Sequence, residues 1–268
     1  MVYTDYEKDI VSDEEFSRIY KAIRENAIEG KTADKDKCTI ILGGQPGAGK
    51  STFYEMRDDL VNYVAINGDE YRRFHPNYKD IVKTDPEHYS ERTQPFSNRV
   101  VETLISDLGK NGYNLIIEGT LRNPEVPIHT CNYLKSKGYE PNLVVIACDA
   151  EAAWLSTLSR ASLLKEQGLV PRLVPIDIYN RTVNNIPESL QKIEEAGCFK
   201  SITVISRDGE ILYPSENMKK PHEILKATLH LDKWNEKLPE YKKDFIKKKI
   251  EILESELKRE DRSDHDER

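Results

Sequence analysis

The sequence predicts an α/β fold, a parallel sheet covered by helices on both faces, with a helical appendage following it. Three observations predict this. Five short, largely apolar runs, CTIILGG (38–44), YVAIN (63–67), NLIIEG (114–119), NLVVIAC (142–148) and SITVIS (201–206), read as strands buried on both faces. The longer segments between them, such as SNRVVETLISDLGK and IHTCNYLKSKG, space their apolar residues by three and four, the helical period. Beyond about residue 218 the composition turns to lysine and glutamate with a single apolar stripe.

Taken in order, residues 13–28 (DEEFSRIYKAIRENAI) place Phe16, Ile19, Ile23 and Ile28 near helical spacing, with Ser12 as N-cap. The polar stretch GKTADKDK leads into the first strand, and a helix is predicted from Gly49 to about Leu60. Strands and helices then alternate up to SRDGEILY, where Asp208-Gly209 marks a hairpin turn. In the final helix, Leu231, Trp234, Leu238, Tyr241 and Phe245 recur at alternating steps of three and four. Pro239 marks a break near its start, and the terminal DRSDHDER is expected to fray. We therefore divide the chain into a main α/β domain, residues 1–218, and a charged helical extension, residues 219–268, which is expected to be dispensable for chemistry while its apolar stripe docks on the body of the protein or on a partner.

The 268 residues carry 40 basic and 47 acidic side chains, a net charge of −7, which argues against binding nucleic acid by bulk charge. No apolar run approaches the ~20 residues that span a bilayer, so no membrane association is expected. Acidic groups occupy MVYTDYEKDIVSDEEF where a secretory signal is basic and then apolar, and a cytoplasmic location is expected. Cys38, Cys131, Cys148 and Cys198 show no ligand spacing and read as reduced thiols in or near the core.

The first strand ends in Gly44-Gln45-Pro46-Gly47-Ala48-Gly49-Lys50-Ser51-Thr52, which satisfies GxxxxGK[ST] between a strand and a helix. Glycines let the backbone close round phosphates, and the helix N-terminus adds its amides and positive dipole end. Lys50 can bridge the β- and γ-phosphates of ATP, and the Ser51 hydroxyl can ligate Mg²⁺. The fold class narrows to a P-loop NTPase or kinase. A guanine-specifying NKxD is absent, and the third strand ends LIIEGT with a single Glu118 where an ATPase shows Asp-Glu. Arginines stand downstream at 160 and 172, a layout that favours a small-molecule kinase.

On the acceptor side, Asp69 follows the second strand in Asn67-Gly68-Asp69-Glu70, where it can take a proton from a hydroxyl or simply cap the next helix. Glu118 and Thr120 close the third strand beside Arg122, so Glu118 either meets substrate or metal-bound water or pairs with Arg122. Glu102, on a helix, reads from spacing alone as a solvated residue.

The blocks LGGQPGAGKST, NGDEYRRFHPNY, PFSNRVVETLISDLGKNGYNLIIEGTLRNPEVPIHT and WLSTLSR, in this order across roughly residues 10–215, resemble the zeta toxin family, its PezT-type members included. The resemblance implies a toxin that uses ATP and Mg²⁺ to phosphorylate the 3′-hydroxyl of the amino sugar of UDP-N-acetylglucosamine, so blocking peptidoglycan synthesis. It also implies a small helical antitoxin that covers the ATP site. It makes Asp69 the catalytic aspartate, Glu102, Glu118, Arg122 and Thr130 the sugar-nucleotide contacts, and Arg160 and Arg172 the arginines near the transferring phosphate. Two departures stand out: Asn67 occupies a position where the family carries an acid, and VPRLVPID around Arg172 matches loosely. Kinases of another small hydroxyl, and a nucleotide-binding partner module without turnover, are the alternative readings.

Overall fold

The computed structural model describes residues 9–85, 88–167, 170–171, 173–214 and 219–266, with side chains through residue 248. Its strands are β1 (Cys38–Gly43), β2 (Tyr63–Ile66), β3 (Asn114–Glu118), β4 (Glu140–Ala147), β5 (Ser201–Ser206) and β6 (Ile211–Tyr213). They form one 6-stranded sheet in the order β2-β3-β1-β4-β5-β6. The first five run parallel, and β6 returns antiparallel to β5 across the Asp208-Gly209 turn. All five apolar runs form strands, as their composition predicts.

The helices are α1 (Asp13–Ala27), α2 (Lys50–Glu55), α3 (Gly68–Tyr71), α4 (Tyr78–Thr84), α5 (Tyr89–Arg92), α6 (Gln94–Lys110), α7 (Glu125–Ser136), α8 (Ala150–Glu166), α9 (Ile176–Glu195), α10 (Pro221–Leu229) and α11 (Leu231–Asp266). Ser12 caps α1 by accepting the Glu15 N–H at 3.3 Å. Alternate residues of β3 enter different cores. Leu115 and Ile117 pack with Val64, Ile66, Phe16 and Ile23 of α1, and Val100 and Leu104 of α6. Ile116 belongs to a larger cluster with Ile41, Leu143, Val145, Val204 and the buried faces of α8 to α11. The four cysteines are free, three of them buried, with Cys131 donating to the Cys198 carbonyl at 3.1 Å.

Two expectations are corrected. The helix after the phosphate loop stops at Glu55, because Arg57 adopts an extended backbone; a short 3-10 turn, Asp58–Leu60, then delivers Leu60 to the core. Pro239 does not break α11, which runs continuously to Asp266. Proline costs a helix the N–H it cannot donate, but Pro239 is exposed while Trp234, Leu238, Tyr241 and Phe245 hold the opposite face in the core. That same stripe docks the segment beyond 218 on the body of the protein. Trp234 is 0% exposed, donates from Nε1 to Asn180 Oδ1 at 2.9 Å, and has Tyr179, Tyr241 and Trp154 around it at ring-centroid distances of 5.1, 5.7 and 6.1 Å.

Candidate active site

Strand register aligns the groups at the carboxyl edge of the sheet. Ile66 pairs with Ile117, Leu42 with Glu118, Gly43 with Val145, and Ala147 with Ser206. Asn67, Glu118, the phosphate loop, Cys148 and Arg207 therefore stand side by side along one edge. In open α/β sheets this is where ligands bind, beside the strand at which the order reverses, and here that strand is β1.

The phosphate loop is built close against its neighbours. Gly47 has φ 80°, and a Cβ there would lie 2.0 Å from the Ala153 carbonyl oxygen on α8, so only glycine fits. Gly49 has φ 98° and stands at the N-cap of α2. Gln45 is wholly buried and donates from Nε2 to the Cys148 carbonyl at 2.6 Å, pinning the loop to the end of β4. Its side chain thus faces the protein, and its offering to a ligand is backbone alone. The Lys50 ammonium lies over the loop crest, donating to the Gly44 and Gln45 carbonyls at 2.9 and 3.1 Å. Ser51 begins the first turn of α2, half-buried, whereas Thr52 is exposed.

On the β2–β3 side, Asn67 organises two carboxylates. Its Oδ1 accepts the Asp69 N–H at 3.1 Å, making Asn67 the N-cap of α3. Its Nδ2 donates to Glu118 Oε1 at 3.1 Å, and the Tyr54 hydroxyl donates to the same oxygen at 2.6 Å. Among the described residues none donates to Glu118 Oε2. Burial pushes the Tyr54 hydroxyl far above its ordinary range, and the bond to Glu118 pushes it further, so it stays a donor. Two readings left open by the sequence are resolved: the cap is Asn67 rather than Asp69, and Glu118 is engaged by Tyr54 and Asn67 rather than by Arg122. The Asp69 carboxylate meets Arg72 Nε at 3.2 Å. Arg72 is buried and held in turn by the Ser90 carbonyl, Thr93 Oγ1 and Gln94 Oε1. Desolvation raises the Glu70 carboxyl, and the charge of Glu118 adds to the rise, although the side chain retains solvent access.

The remaining predicted residues are placed around this centre. Glu102 is exposed on α6, next to Val101, whose Cγ2 lies 3.3 Å from where a Gly68 Cβ would sit, so α6 packs directly on the Asp69 segment. Arg122 is exposed in the loop after β3. The Thr130 hydroxyl donates to the Val126 carbonyl of its own helix at 2.9 Å. Arg160 is exposed on α8, the helix that abuts Gly47, and Arg172 lies outside the described residues. Sequence reasoning missed Tyr54 and Arg72, which read as ordinary helix residues, and Arg207, which directly follows the last parallel strand. Position after a strand was the one available signal for Arg207.

The Ser51 hydroxyl in the first turn of α2 and Oε2 of Glu118 at the end of β3 are oxygen donors of the kind that Mg²⁺ prefers, while Asp69 on α3 is engaged by Arg72. Fold and site together define a kinase-like P-loop nucleotide-binding protein. A family model described as Zeta toxin matches residues 21–218. Toxin zeta of Streptococcus pyogenes is 33% identical over 207 residues, covering 76% of this chain and 72% of that one. Toxin PezT of Streptococcus pneumoniae serotype 4 is 34% identical over 247 residues, covering 91% and 97%. A solved structure from the PezAT chromosomal toxin-antitoxin system of the same species superposes with TM-score 0.74 at 30% identity, over 94% of this chain and 99% of that one. This chain belongs to the zeta toxin family. Among the described residues, no helix is long and apolar enough to cross a membrane.

Proposed function

We propose that the protein is a toxin kinase that transfers the γ-phosphate of ATP to the 3′-hydroxyl of the amino sugar of UDP-N-acetylglucosamine, so blocking peptidoglycan synthesis. The observation that carries this reading is the alignment of Lys50 in its phosphate loop with Asp69 and Glu118 on the two neighbouring strand ends. A donor phosphate over the loop thereby faces carboxylates suited to an acceptor hydroxyl. In phosphoryl transfer the migrating group is loosely bonded, and catalysis is mostly placement and charge.

In this mechanism Lys50 leaves its loop carbonyls to hold the phosphate oxygens. Asp69, oriented by Arg72, accepts the proton of the attacking sugar hydroxyl. Glu118 holds the acceptor hydroxyl through Oε2, and Glu102, Arg122 and Thr130 contact the sugar nucleotide. Arg160 and Arg172 spread the charge of the transferring group. The Ser51 hydroxyl would hold Mg²⁺, which would supply charge neutralisation of the phosphates. Cellular ATP and a nucleotide sugar as substrates place the proposed activity in the cytoplasm. Likeness to a PezAT toxin-antitoxin structure supports a partner as well, and we take it to be a small helical antitoxin seated over the nucleotide site.

Incubating the protein with ATP, Mg²⁺ and a panel of UDP-sugars, and reading products by mass, tests the reading. One added phosphate on UDP-N-acetylglucosamine, mapped to its 3′ position, is the expected result. Phosphorylation of a different sugar or hydroxyl compound would redirect the substrate while keeping the kinase. Nucleotide binding with no product from any acceptor would favour a binding module.

A further inference from the structure

The acceptor carboxylates occupy the β2–β3 side of the phosphate loop, and the opposite side carries a cation with no assigned role. Arg207 follows β5 and folds back over the loop. Its Cγ and Nε lie 3.5 and 3.7 Å from where a Gly49 Cβ would sit. One terminal nitrogen donates to Ser156 Oγ on α8 at 2.8 Å. The guanidinium also interacts with the Cys148 thiol at the end of β4, and the residue is exposed, so it is tethered toward the sheet and its outer face is open to a ligand.

We propose that Arg207 is the nucleoside clamp of the site, its guanidinium stacking on the base of the bound nucleoside triphosphate. The inference rests on the reading that the phosphate loop binds such a nucleotide. Strand order then gives direction. The transferring phosphate must face Asp69 and Glu118 on the β2–β3 side, so the triphosphate runs across β1 and its nucleoside emerges over β4 and β5. Arg207 and Ser156 stand there. A planar guanidinium favours an aromatic face over a point contact, and the hydrogen bond to Ser156 holds that plane in advance of binding. Stacking of this kind accepts either purine, so the clamp adds affinity without choosing between ATP and GTP.

Calorimetric titration of the full-length protein in the presence of Mg²⁺ separates base from phosphate, using ATP, GTP and inorganic tripolyphosphate as probes. Arg207→Ala is expected to weaken ATP and GTP on the order of tenfold while moving tripolyphosphate by less than about twofold. Arg207→Lys, which keeps charge but loses the plane, should recover only part of the loss. Because Arg207 is exposed, both variants should unfold at the wild-type temperature. Equal weakening of ATP and tripolyphosphate would make Arg207 a phosphate ligand and overturn the clamp, as would unchanged ATP binding or full recovery with lysine. Failure of the wild-type protein to bind any of the three probes would instead remove the phosphate-loop reading, and the clamp with it.

Discussion

At the scale of single residues, the site is a set of side chains whose partners differ in what they can release. Lys50 is held by two carbonyls of its own loop, weak partners that phosphate oxygens replace at once. Lys50→Ala is expected to lose phosphoryl transfer by at least about a thousandfold while its unfolding transition stays in place; near-normal turnover would show that chemistry happens elsewhere. Asp69 is different, because Arg72 fixes its carboxylate from behind. Asp69→Asn should bind ATP and the sugar nucleotide as the wild type does, yet lose roughly two or more orders of magnitude in kcat. Matching losses in affinity and rate would make Asp69 a binding or structural acid. The sequence made Asp69 visible because a carboxylate directly after a strand is conspicuous. It marked Asn67 only as a departure from the family pattern and hid its work, since capping α3 and steadying Glu118 through its other side-chain atom depend on how β2 and β3 pair.

At the scale of elements, α1 is strapped to α6 by a polar contact laid over an apolar one. Asp107 Oδ2 accepts from Arg24 Nε at 2.6 Å and from the Tyr20 hydroxyl at 2.8 Å. Burial alone would raise the Asp107 carboxyl, but these hydrogen bonds outweigh it and hold it below the usual carboxylate range. A group depressed on folding adds stability above its unfolded pKa and loses it as pH falls through the folded one. The wild type should therefore lose more stability than Asp107→Asn between neutral pH and about pH 3, measured by denaturant midpoints; parallel curves would mean the strap contributes nothing. The strands and the long helices were legible because burial on both faces and three-four spacing are periodic signals. The end of α2 and the passage of α11 through Pro239 were not, because each is decided by which side chains reach the core, a tertiary matter that local propensity does not encode.

At the scale of the whole molecule, α11 is tied to the helix that supports the phosphate loop. His230 meets Asp149 at 2.9 Å, the residue whose carboxylate caps α8. Lys237 and Tyr241 both bind Glu151 in the first turn of that helix. Two residues further along α8 lies the Ala153 carbonyl that abuts Gly47. The apolar stripe was readable as a docking face, but the surface it covers was not, since a stripe does not name its partner. Trp234→Ala should cost about 3–5 kcal/mol and lower the melting temperature, with a weaker grip on nucleotide among the molecules that remain folded. A loss under about 1 kcal/mol would show that α11 merely rests on the body.

The pinning of Gln45 to Cys148, and of Gly47 against Ala153, has a meaning in time as well as in space. The loop motif leaves the ribosome early, but the walls that shape it are translated roughly a hundred residues later, so the nascent chain carries a signature it cannot yet use. Stalled nascent chains ending after Leu134 should fail to retain ATP, and retention should begin only once α8 has emerged; binding by the shorter chains would show that the loop shapes itself.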